Sequence, residues 1–360
     1  MSVTHAAAMI NIQAEACASL DSPLYAALLR RAAQDVLDGG PCAAAIAGHE
    51  DAPGPDAIAL RLMGAVHALV LTGRADALAA YYPSVGGSFD PQHPEAPWPA
   101  FRATVAAELP WVQDWMTRPP QTNEVGRANL LITGLLRAAA EYPLPVRLFE
   151  LGSSAGLNLR ADAFRCTATG LDVGPADSPV RLTDAWRDGA PGWLTSAAAE
   201  HPRLTVTERH GCDLTPIDPL SPEGALALRA YIWADQAARA ARLDGALEVA
   251  AKLPATVAEV GAADFLREVH VVPGALTVVW HSIMRQYVPT EEWALVEVEL
   301  DRLRAESAES SAQAPFAHLA FEPHRAGDQQ QYRFQLVARL GAGAPLVLAE
   351  AHPHGLPAWE

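Results

Sequence analysis

The stretch FELGSSAGLNL, Phe149 to Leu159, ends the short apolar run VRLFEL and leads into a helix-like segment. Strand, glycine-rich turn and helix in that order make the opening unit of an α/β sheet. The turn itself carries two signatures. Gly152 to Gly156 spells G-x-S-x-G, the nucleophile elbow of a serine hydrolase with Ser154 as nucleophile. From Glu150 the same residues spell E-x-G-x-S-x-G, one substitution from the acidic, glycine-rich loop that opens a nucleotide or S-adenosylmethionine site.

The surroundings weigh these readings differently. A hydrolase elbow follows several earlier strands of its sheet, and an upstream strand–helix loop supplies oxyanion donors. Nothing before Val146 has strand pattern, and Gly86-Gly87 is not set in an HGGG-like motif. Asp264 with His281 or His352 completes the order Ser, Asp, His, but such residues are common. The dinucleotide fingerprint needs glycines where Ser154 and Leu157 stand. In the acidic-loop reading, glycine permits a tight turn and close backbone approach, and the following helix N-terminus offers N–H groups to a carboxylate. A plain strand–turn–helix without ligand is the third possibility.

Outward from the turn, further strand-length runs are LTVTE (204–208), ATVAEV (255–260), ALTVVW (275–280) and HLAFE (318–322). Helix-like stretches separate the middle ones, including one continuous segment from Gly224 to Lys252. This alternation predicts a doubly wound, mainly parallel α/β sheet. YRFQLVARLGAGAPLVLAEA predicts two antiparallel strands around Gly341 to Gly343. Upstream the pattern is helical: Ser22-Pro23 reads as a cap with proline at the first helical position of PLYAALLRRAAQDVL. The region from Tyr81 to Pro120 reads as an ordered loop with one helical segment near Phe101 to Met116. Thr122 or Asn123 is the expected cap of the next helix, with a Glu124–Arg127 pair one turn on. The expected division is a helical domain over 1–125 and an α/β domain over 126–360.

Composition narrows the partners. A formal net charge of −16 leaves no basic stripe for nucleic acid and disfavours an anionic membrane surface. A small molecule or another protein is the expected partner. The 4 cysteines are scattered without a C-x-x-C pair, and the N-terminus lacks the pattern of a secretory signal, so a cytoplasmic protein is expected. His352 and His354 have no third ligand at metal spacing, and no metal site is expected.

Several segments together resemble the bacterial family known as domain of unknown function 2332: SPLYAALLRRAAQD, QTNEVGRA, FELGSSAGLNL, RHGCDLTPIDP, IWADQAARAARLDGAL, VVWHSIMRQYV and AHPHGLPAW. The second half resembles class I S-adenosylmethionine-dependent methyltransferases. That resemblance implies a seven-stranded, methyltransferase-like Rossmann sheet with a C-terminal antiparallel hairpin. It implies S-adenosylmethionine as cofactor, with Glu150, Gly152, Ser153, Ser154 and Gly156 in the first-strand loop. Asp213 matches the acidic residue that bonds the ribose, and Asp264 the one that contacts adenine. Asp213 lies far beyond the usual interval, so the insertion between Arg165 and Arg203 must loop out.

Catalytic candidates sit where strands end. His281 closes ALTVVW and is the expected general base. Tyr287, with Arg285, follows it, and Glu322 closes HLAFE. The leading expectation is methyl transfer to a small-molecule O or N nucleophile. A serine esterase using Ser154 and a non-catalytic nucleotide-binding or assembly protein are the alternatives.

Overall fold

The computed structural model describes residues 2–310, 313–325 and 332–360. The chain forms two compact units: Met1–Thr122 with Ser221–Ala241, and Asn123–Leu220 with Arg242–Glu360. The segment 221–241 returns to the first unit, which the contiguous division expected from the sequence does not include.

The first unit is helical. Helices Ser2–Ser19, Pro23–Leu37, Ile58–Leu71, Trp98–Ala107 and Leu109–Met116 pack Ile10, Leu24, Leu28, Leu62 and Phe101 into one core. The aromatics of 81–120 join that core, and the single helix expected there is two. The segment expected as one helix from 224 to 252 breaks into Pro222–Ala230 and Ala237–Lys252. Its interruption is used for contacts. The Tyr231 ring lies where a Cβ on Gly64 would come within 2.8 Å of it. Asp235 accepts the hydroxyl of Ser22 at 2.5 Å and the N–H of Leu24 at 3.0 Å. The helix therefore starts at Ser22-Pro23 as read, but its capping oxygen comes from Asp235 rather than Ser22.

The second unit carries the sheet. In chain order its strands are β1 (Val146–Leu151), β2 (Arg165–Ala168), β3 (Leu171–Val173), β4 (Arg181–Leu182), β5 (Val206–Asp213), β6 (Thr256–Glu259), β7 (Leu276–Ser282), β8 (Phe316–Arg325), β9 (Tyr332–Leu340), β10 (Leu346–Ala351) and β11 (Ala358–Trp359). The main sheet has the order β11-β10-β9-β8-β7-β1-β5-β6. Strands β6, β5, β1, β7 and β8 are parallel, and β9, β10 and β11 continue as an antiparallel meander. The expected hairpin is present, but the sheet has 8 strands instead of seven because β11 extends the edge. The insertion after Arg165 is ordered as a second sheet, β3-β2-β4, followed by helix Gly192–Glu200.

Helices cover both faces. Helix Ala128–Glu141 packs on β8, β9 and β10, and Gly134 lets it approach Leu319 closely. Helices Ala262–Arg267 and Thr290–Glu309 bury Phe149, Leu151, Cys212 and Val279 on the other face. Because β1 lies between β5 and β7, the order of connection reverses there. In open α/β sheets such a reversal opens a crevice at the carboxyl ends of the strands.

Candidate functional site

The turn after β1 lies at that reversal. Gly152, Ser154 and Gly156 have φ of 64°, 53° and 65°, so the backbone enters the left-handed region three times within five residues. For Ser154 that conformation is strained. Two features hold it. Asp213, which closes the neighbouring β5, accepts the Ser154 N–H at 2.9 Å on Oδ2 and the Thr215 N–H at 2.9 Å on Oδ1. Arg160 donates to the carbonyls of Gly156 at 2.7 Å and Leu253 at 2.5 Å.

The Ser153 hydroxyl points away from the turn and donates to the Cys212 carbonyl at 3.2 Å. Gly211 makes room for it, since a Cβ there would lie 2.2 Å from Ser153 Oγ. Ser153 is thus fixed to β5. The two glycines are used by neighbouring side chains: a Cβ on Gly152 would meet Met284 at 3.0 Å, and one on Gly156 would meet Val257 at 2.8 Å. Neither contact was visible in the motif.

Asn123 adds a partner that sequence reasoning missed. Instead of capping its own helix, it turns its Oδ1 to the Leu157 N–H at 2.7 Å, at the start of the 3-10 segment Leu157–Ala163. The cap on its own segment is Glu124, which accepts the Gly126 N–H at 3.0 Å. Glu124 also lies 4.0 Å from Arg242, and Arg127 donates to the carbonyls of Pro353 and Ser282.

Glu150 is 2% exposed, and its Oε2 has no hydrogen-bond partner among the described residues. Burial raises its pKa to about 8, against the opposing pull of the Trp280 indole N–H first and then of Arg127 and Arg160. At neutral pH the carboxyl is therefore mostly protonated. Glu150 pairs in register with Trp280, and Leu151 with His281. Successive strand residues face opposite sides, so His281 shares the Leu151 face and Glu150 lies on the other.

On the Leu151 face His281 is 2% exposed and bonds through both ring nitrogens. Nδ1 is 2.8 Å from Glu322 Oε1, and Nε2 is 3.1 Å from His318 Nε2. Glu322 Oε1 also accepts the N–H groups of Met284 and Arg285. The structure brings His281 and Glu322, read separately from the sequence, into contact, with His318 as an unforeseen third member. Its position was readable, since His318, Ala320 and Glu322 alternate along one face of HLAFE.

Two further candidates stand apart. Asp264 lies on helix Ala262–Arg267 and forms an exposed ion pair with Arg267. Tyr287 ends the 3-10 turn Arg285–Tyr287 and is exposed. Glu150, Gly152, Ser153, Ser154, Gly156 and Asp213 form one cluster around the turn, and His281 and Glu322 form another behind it.

No helix of the described residues is long and apolar enough to cross a membrane. The 4 cysteines are free and buried. No curated protein and no solved structure matches the chain. A family model described as "uncharacterized protein conserved in bacteria (DUF2332)" matches residues 7–359, and the chain belongs to that family.

Proposed function

We propose that the second unit is a methyltransferase-like Rossmann domain that binds S-adenosylmethionine at the carboxyl ends of β1 and β5 and methylates a small-molecule O or N nucleophile. The observation that carries this reading is Glu150, a buried carboxyl at the end of β1 whose Oε2 lacks a partner. It stands one strand from Asp213 at the reversal of strand order. The bound cofactor supplies an electrophilic methyl group. Glu150 would hold its ammonium, the turn 152–156 would shape the pocket wall, and Asp213 would keep that turn in its left-handed conformation. Acceleration would come chiefly from positioning the acceptor.

Calorimetric titration with S-adenosylmethionine and S-adenosylhomocysteine tests the reading. Saturable binding that weakens in Glu150→Gln is expected. A folded sample that gives no heat with either ligand overturns it. A cationic ammonium settling on Glu150 favours the carboxylate, so binding near pH 7 should also release a proton.

A second reading is favoured by the bonds that Asn123 and Asp213 make to the N–H groups of Leu157 and Ser154. The chain's own side chains satisfy donors that a ligand carboxylate would otherwise take. In that reading the unit keeps the fold as a non-catalytic module. It predicts that Asn123→Ala leaves calorimetry with S-adenosylhomocysteine silent, whereas the first reading predicts binding by this variant. The esterase reading lacks its histidine at His281, whose ring nitrogens engage Glu322 and His318. Fluorophosphonate labelling lost in Ser154→Ala would restore it.

A further inference from the structure

Helix Thr290–Glu309 crosses the sheet face that carries His281, and a cavity of about 250 Å3 lies beneath it. The floor is formed by two cross-strand pairs of β8 and β9, His318 with Arg339 and Ala320 with Val337. The roof is one side of the helix, with Trp293, Glu297, Asp301 and Arg304 at successive turns.

Donors outnumber the acceptors left to meet them. Glu297 accepts the Trp293 indole N–H at 3.0 Å, and Asp301 pairs with Arg304. The Nε of Arg304 is buried and has no acceptor among the described residues. The Arg339 guanidinium forms no hydrogen bond or ion pair with any described residue. Two guanidinium groups therefore bring unsatisfied N–H donors to one cavity, and such groups match the oxygens of a carboxylate or phosphate.

The His318 ring is set by what stands behind it. His281 Nδ1 lies 2.8 Å from Glu322 Oε1 and its Nε2 lies 3.1 Å from His318 Nε2, so this row of contacts fixes the His318 ring at the cavity floor. Burial, with His281, Arg304 and Arg339 close by, holds the pKa of His318 well below the ordinary value. The charged or titratable groups facing it are Glu297, Asp301 and Arg304 from the helix, Arg339 from β9, His281 from β7 and Glu322 from β8.

We propose that this cavity is a binding site for a small oxyanion, carboxylate or phosphate, held by Arg304 and Arg339 over His318. This site lies on the opposite sheet face from Glu150 and does not depend on the methyltransferase reading.

The experiment titrates the full-length protein with succinate and, separately, with inorganic phosphate. At least one probe should bind saturably in calorimetry near neutral pH, and the two arms identify the oxyanion. Arg339→Gln should weaken that binding at least tenfold. Far-UV circular dichroism checks that the variant is folded. The proposal is overturned by no saturable heat from either probe or by unchanged affinity in Arg339→Gln.

Discussion

Asp213 and Ser154 are joined across the ends of two neighbouring strands, the aspartate Oδ2 accepting the serine backbone N–H at 2.9 Å. The second oxygen holds Thr215, so one carboxylate fixes both the turn after β1 and the chain leaving β5. Asp213→Ala removes both acceptors and should lower stability by about 2–3 kcal/mol, since bonds to a charged acceptor are worth more than neutral ones. Asp213→Asn keeps one acceptor and should lose roughly half as much. Urea unfolding of the two variants checks the order, and equal losses would show that the charge, not the bonding geometry, is what the turn needs.

Gly156 gives the turn a second point of failure. Its φ is 65°, and an added Cβ would lie 2.8 Å from Val257 Cγ2. Gly156→Ala should destabilise by about 1–2 kcal/mol through backbone strain alone, with steric overlap added. In a Val257→Ala background the steric part should disappear and the strain remain. A double-mutant cycle by chemical denaturation separates the two, and perfect additivity would contradict the contact.

Glu150 makes the second unit sensitive to rising pH. Its folded pKa of about 8 is above the ordinary value of 4.5, so the unfolded chain loses this proton first. The stabilisation is complete below pH 4.5 and is lost as pH rises toward about 8. The slope is at most about 1.4 kcal/mol per pH unit. Glu150→Gln should flatten this part of the stability profile. Thermal unfolding from pH 5 to 9, within roughly that window, gives the measurement; an unchanged slope in the variant would assign the dependence elsewhere.

His67 imposes the opposite dependence on the helical unit. It is buried, with Nδ1 near the Ala230 carbonyl at 3.1 Å and Nε2 near the Ser84 hydroxyl at 2.8 Å. Burial lowers its pKa to about 4 from 6.5. Its contribution is present above pH 6.5 and is lost as pH falls toward about 4, because the unfolded chain takes up the proton first. His67→Gln should reduce the acid sensitivity of this unit, read by tryptophan fluorescence of unfolding between pH 7 and 4, roughly the window of protonation.

The parts of this architecture legible in the sequence were those set by local pattern. VRLFEL, its glycine-rich turn and the later apolar runs announce strands because a buried parallel strand must be apolar on both faces. Ends were less legible. Strand β5, expected over 204–208, runs on to Asp213 through RHGCD because β1 and β6 bond it from either side, and this support comes from distant chain. That His281 and Glu322 close strands was legible, but their contact depends on the pairing of β7 with β8. The separation of Glu150 from His281 was not legible, because it depends on the register Leu151 to His281, which no local motif encodes. Asn123 and Asp235 were hidden for the same reason: each satisfies backbone N–H groups remote in sequence.

The return of Ser221–Ala241 to the helical unit also orders the events of biosynthesis. A ribosome releases β1 and β5 before the residues that complete the helical unit, and β7 later still. Nascent β1 can pair with β5 on one side, while its other edge stays open until Leu276–Ser282 emerges. An open parallel edge is a template for wrong pairing. The late position of β7 thus leaves one edge of β1 open to wrong pairing for the whole interval between the release of Leu151 and that of Leu276.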